Sequence, residues 1–135
     1  MSGQPQLGTL TNAIGIDCTT LEILDQGGAS NLIVEKNTNF QVRARFEFAG
    51  LFANYLVSLQ IPFKVIYYYE SMGGGPEGIL AEKDGKTRAG QLVYQMETTA
   101  TVKLLDPGTY KLTVVVSFKD APMTAFTEGP MIQVF

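Results

Sequence analysis

Leu104-Leu105-Asp106-Pro107-Gly108-Thr109-Tyr110 joins two alternating runs through a turn and sets a tyrosine at the start of the second. Behind it, Met96, Thr98, Ala100, Val102 and Leu104 alternate with Glu97, Thr99, Thr101 and Lys103; ahead of it, Tyr110 to Phe118 alternates again. The cleanest run lies further back, where Phe40, Val42, Ala44, Phe46 and Phe48 are interleaved with Gln41, Arg43, Arg45 and Glu47. Successive side chains of a strand point to opposite faces, so a period of two gives each strand one face in a core and one in water. Three such runs establish an antiparallel, half-buried sheet.

The remaining apolar runs are shorter. They mark candidate strands at Ala13–Cys18, Thr20–Leu24, Leu32–Glu35, Ile61–Glu70, Gly78–Glu82, Gln91–Gln95 and Pro130–Phe135, and with the three longer runs they supply a fold expected to have seven to nine strands. Asp25–Asn31 and Lys36–Asn39 read as polar turns, and residues 1–12 as a polar N-terminal arm before a single domain over 13–135. Leu51 to Leu59 breaks the alternation. Leu51, Phe52, Tyr55, Leu56 and Leu59 share one side of a helix, bounded by Gly50 and Pro62, which predicts a short helix or compact loop near 51–59. Such a segment is a lid on the core or an anchor for another chain. Strand runs separated by turn-rich loops, without intervening helices, predict an all-β sandwich rather than a parallel sheet.

The stretch from Leu105 through Pro107 and Gly108 to Tyr110 resembles the tyrosine corner of immunoglobulin-like and fibronectin type III-like β-sandwiches. The resemblance implies that the Tyr110 phenol caps one end of the core and that its hydroxyl bonds to the backbone a few residues upstream. The chain has no Trp and a single cysteine, Cys18, so it lacks the tryptophan and disulfide of antibody-type domains. The resemblance names an architecture and leaves the function to be argued from sites.

Composition excludes several classes. Ten basic against thirteen acidic residues give a net charge of -3, unsuited to a polyanion, so nucleic acid is not an expected partner. Lys83, Lys86 and Arg88 are diluted by Glu82 and Asp84 and read as a solvated hairpin end. Cys18 can form no intrachain disulfide and reads as a small buried hydrophobe. Met1–Asn12 has neither a basic start nor an apolar core, and no stretch approaches membrane-spanning length. The expected location is the cytoplasm, or outside it by export without a cleaved signal, with no membrane insertion.

Catalysis is the function that the residues argue against. The chain has no His, and no carboxylate, Lys or Tyr spacing announces a substitute acid or base. Glu70, Glu77, Glu82 and Asp84 match no calcium-loop register, so neither a metal nor another cofactor is expected. The glycine-rich Ser71–Gly78, with Gly73, Gly74 and Gly75, lacks the Lys and Ser/Thr of a phosphate-binding loop and reads as a long hairpin connection.

Tyr67-Tyr68-Tyr69 cannot all be core, because neighbours on a strand face opposite ways. With Lys64 and Glu70 in water, Ile66 and Tyr68 face out, while Phe63, Val65, Tyr67 and Tyr69 face in. Val115 on the corner strand, and Met131 and Phe135 on the last, are expected to join Ile66 and Tyr68 in an exposed apolar patch. Aromatic and Met residues ringed by polar ones suit an interface centre. The expected function is a non-catalytic protein-interaction or assembly module using a sheet face or edge strand, as a homo-oligomer or part of a larger assembly. The alternative is a carbohydrate or small-ligand binder using Tyr55, Tyr68 or the glycine loop, with Phe52 as a further lid contact.

Overall fold

A computed structural model describes residues 15–24, 32–35, 38–75, 77–101, 106–119 and 124–135, apart from the side chains of Cys18, Thr19 and Thr101. The arm at 1–12, Leu105 and the Cys18 thiol lie outside that set. Among the described residues, eight strands form two packed sheets with one short helix beside them, the all-β sandwich that the alternation predicts. The strands are β1 (Gly15–Leu24), β2 (Ile33–Val34), β3 (Asn39–Ala49), β4 (Pro62–Ser71), β5 (Glu77–Lys86), β6 (Val93–Thr101), β7 (Gly108–Phe118) and β8 (Thr124–Val134), with helix α1 (Ala53–Ser58) between β3 and β4. One sheet has the order β1-β3-β6 and the other β2-β8-β7-β4-β5. All pairings are antiparallel except the two-residue β2 against β8.

Bulges interrupt three of the strands. Thr19 is the extra residue that joins Gly15–Cys18 to Thr20–Leu24 as β1, because Cys18 and Thr20 pair with the adjacent residues Phe46 and Arg45; Ala13 lies outside the described residues. Leu80 is the extra residue in β5, between Ala81 opposite Tyr67 and Ile79 opposite Tyr68, and its side chain is buried. In β8 the bulge falls at Gly129-Pro130, opposite Leu112. Proline lacks an N–H and is tolerated at such a position. Gly129 is required for a second reason. A Cβ there would lie 2.3 Å from Leu21 Cδ2, where β1 of the other sheet closes against β8. The predicted strands Gln91–Gln95 and Met96–Leu104 are one strand, β6, paired with β3 without a register shift; Val102 and Leu104 lie outside the described residues.

The core is filled by the inward sets of β3, β4 and β7. Phe46 and Phe63 meet edge to face at 5.2 Å, and Phe46 stacks on Tyr94 at 5.4 Å. Tyr67 spans the sandwich, donating its hydroxyl to the Met96 carbonyl at 2.7 Å. The two ends are closed by tyrosines. At one, Tyr110 is 2% exposed and donates to the Asp106 carbonyl at 2.7 Å, the bond that the resemblance implies. Burial holds its hydroxyl above the usual tyrosine pKa. Gly108 in the same corner takes φ 155°. At the other end, Tyr94 donates to the Gln91 carbonyl at 2.8 Å and accepts from Arg88 N–H at 2.9 Å, fixing the crossover from β5 to β6.

Helix α1 caps that second end, with a correction to its predicted face. Ala53, Leu56 and Val57 are buried, whereas Leu51, Phe52, Tyr55 and Leu59 are all more than half exposed. The helix has six residues and ends where Gln60 takes a left-handed φ of 54°. So short an element turns only one narrow side to the core, and the lid is made by its small and middle residues.

Candidate interaction surface

The outer face of the five-stranded sheet is built by the same alternation that fills the core. Because Phe63, Val65 and Tyr67 point inward on β4, Ile66 and Tyr68 point outward, half-buried among their neighbours. Ile66 lies directly opposite Val115 of β7, and Val115 directly opposite Phe126 of β8. The next rung sets Tyr68 between Ile79 of β5 and Thr113 of β7. The result is one apolar row across β4, β7 and β8, extended through Tyr68 to β5. Phe126 is 68% exposed and Ile79 also exposed.

Charge lies at the margins of this row. Lys64 and Asp84 sit toward the α1 end. Glu70, Glu77 and Lys111 share a rung toward the tyrosine-corner end, where Lys111 reaches Glu128 at 3.0 Å. Between Tyr68 and this charged rung lies a shallow depression of about 420 Å³, lined among others by Tyr68, Glu70, Glu77, Lys111 and Thr113. Its lining sets tyrosine side chains beside two carboxylates and an ammonium group. Such a surface offers hydrogen bonds and a flat aromatic contact but encloses nothing. Among the described residues, no three of His, Cys, Asp and Glu converge as a metal site would require.

The structure groups only part of the predicted set. Ile66, Tyr68 and Val115 form one patch. Met131 is on the same face and exposed, but the Thr113–Glu128 rung separates it from Phe126. Phe135 lies just beyond β8, exposed, its N–H bonded to the Val34 carbonyl. Gly73, Gly74 and Gly75 form the exposed β4–β5 hairpin, where Gly74 takes φ 78°, and they do not line the depression. Phe52 and Tyr55 belong to the opposite end of the molecule, with α1. Phe126 and Ile79 complete the patch; Phe126 lies across a bulge from the predicted run Pro130–Phe135, and Ile79 lies within the predicted Gly78–Glu82, where the extra residue Leu80 breaks the alternation and hides the outward face.

The opposite outer face, on the three-stranded sheet, is polar throughout its centre. Arg43 of the middle strand reaches Glu22 of β1 at 3.0 Å and Glu97 of β6 at 3.4 Å. The hydrogen bond that Arg43 donates to the Glu22 carboxylate, more than any other influence, raises the Arg43 pKa above its ordinary value. Arg45 lies 3.8 Å from Glu47, and Gln41 donates to Thr99 at 2.9 Å.

These features define a two-sheet β-sandwich with a tyrosine-capped end and one apolar outer face. No protein-family model and no curated protein matches the sequence. Solved structures do match in fold. The C-terminal domain of Wzt is similar with a TM-score of 0.59 at 14% identity, over 90% of this chain and 74% of that one. The superoxide reductase (neelaredoxin) of Ignicoccus hospitalis is similar at 0.50 and 13% identity, over 93% of this chain and 86% of that one. The CARDB domain of a Pyrococcus furiosus protein, in complex with di-metal ions, is similar at 0.50 and 11% identity, over 90% and 87%. The Wzt and CARDB domains are β-sandwich-type domains, consistent with an immunoglobulin-like arrangement here. At such identities the likeness carries the fold alone.

Proposed function

We propose that the protein is a non-catalytic interaction module that joins protein to protein, a second copy of itself in the first instance, through the outer face of the five-stranded sheet. The observation that carries this is the Ile66–Val115–Phe126 row, which leaves a phenylalanine 68% exposed at the end of a continuous apolar strip. An aromatic and aliphatic centre with charged margins is the make-up of an interface. Four strands about 4.8 Å apart, with some nine residues each rising about 3.3 Å, present roughly 600 Å² of flat face. That approaches the ~800 Å² that each partner gives to a standard interface. Light scattering over a concentration range is expected to show a species heavier than one chain, dispersed by Tyr68→Lys. A wild type that stays monomeric at every concentration removes self-assembly.

A second reading has its own support in the depression beside Tyr68. Its aromatic edge, two carboxylates and Lys111 suit a sugar or similar small polar ligand, stacked on the ring and hydrogen-bonded at its rim. A glycan array is expected to give hits that Tyr68→Ala removes; an empty array eliminates the sugar version.

A further inference from the structure

We propose that the α1 end of the sandwich docks on the surface of an anionic lipid bilayer. Leu51, Phe52, Tyr55 and Leu59 project from that end, all more than half exposed, on and immediately flanking a helix whose other side is fastened to the core by Ala53, Leu56 and Val57. From Phe48 to Phe63 the chain carries no charged side chain. Charge resumes at the edge of this tip, and on the five-stranded side it is mainly positive. Lys86 pairs with Pro62, Thr87 N–H bonds the Ile61 carbonyl ahead of Arg88, and Lys119 N–H bonds the Pro62 carbonyl. Lys64, Lys86, Arg88 and Lys119 are all exposed there, against Asp84. On the three-stranded side, Glu47 lies within reach of Arg45 and opposite the exposed Asp17, so the positive margin among the described residues belongs to the five-stranded side.

Projecting apolar side chains suit a bilayer interface, which needs no complementary pocket, and the basic margin matches anionic headgroups. Tyr55, with an apolar ring and a polar tip, is the residue type enriched at the headgroup level. A partner protein is the competing occupant, and the experiment separates the two.

The full chain is mixed with vesicles of phosphatidylcholine alone or with added phosphatidylglycerol, and the sedimented fraction is measured. Binding is expected with the anionic vesicles and to weaken at high salt. Phe52→Ser with Tyr55→Ser is expected to lower the partition at least about tenfold, and each of Lys86→Gln and Arg88→Gln about fivefold. The chain has no Trp, so Tyr55→Trp supplies a single reporter whose emission is expected to shift to the blue on anionic vesicles, while Tyr68→Trp does not shift. Absence of binding to anionic vesicles at low salt overturns the proposal. So does an unshifted Tyr55→Trp in folded protein, or a Phe52/Tyr55 variant that loses assembly mass while its vesicle binding is unchanged. Tyr68→Lys, which tests the sheet face, is expected to leave vesicle binding intact.

Discussion

The two outer faces of this sandwich are built by the same rule and finished differently. On the three-stranded sheet, a central arginine ties both edge strands through Glu22 and Glu97, and the neighbouring positions pair with one another. On the five-stranded sheet the equivalent central positions are Ile66, Val115 and Phe126, with no polar partner to close them. Both sheets have a buried inner face, so folding alone does not require the difference. A face whose charged groups pair across its strands, as Arg43 does through both guanidinium NH2 groups though not through Nε, is complete in water; an apolar row with a protruding aromatic is complete only when covered.

The largest expected effect comes from reversing the contrast. Phe126→Glu puts a charge at the protruding end of the apolar row and is expected to weaken assembly by more than about thirtyfold, the range of an interface hot spot. Thr99→Glu on the opposite face is expected to leave it unchanged, as sedimentation velocity will show. If both variants act alike, the faces are not functionally distinct.

The next effect is on the frame that holds the row in place. Gly129→Ala forces a methyl against Leu21 at the β1–β8 seam and is expected to cost about 1–3 kcal/mol in denaturant unfolding, as overpacking does. Tyr110→Phe removes the hydroxyl bonded to the Asp106 carbonyl and is expected to cost about 1 kcal/mol. Its pH dependence has a definite sign. The folded-state pKa is raised above the ordinary 10.0, so the hydroxyl's contribution is complete below that pH and is lost as pH rises through the folded value. Tyr110→Phe is therefore expected to lose less stability than wild type over that alkaline range.

The smallest effect belongs to the polar face. Arg43→Gln is expected to lower the melting temperature slightly, more at low salt than at high, because its ion pairs are partly exposed. It is expected to leave assembly untouched.

What was legible in the sequence follows the bulges closely. β3 and β7 keep one phase from end to end, so their inward residues, the outward direction of Ile66 and Tyr68, and the Tyr110 corner were all readable. Each bulge inserts one residue and reverses which parity faces out. In β8, Phe126 and Glu128 point outward before Gly129-Pro130, and Met131 and Gln133 after it. Read in one phase, the strand ends at Pro130, and the most exposed aromatic of the patch is lost with it. Ile79 lies inside the predicted Gly78–Glu82 run, but the extra residue Leu80 interrupts its alternation, so its outward direction was not readable. The signal available was the Thr124-Ala125-Phe126-Thr127 run itself, which alternates on its own. Helix α1 failed for another reason. Its apolar residues exceed what a six-residue helix can bury, so periodicity could not show which of them touch the core.

Hydroxyl-radical footprinting reads directly which side chains a second molecule covers. Oxidation of Phe126 and Tyr68 is expected to fall as protein concentration rises, while the Arg43–Gln41 side of the molecule stays equally reactive throughout. Phe126 oxidised at the same rate in dilute and concentrated solution, while the mass of the species increases, would contradict the account.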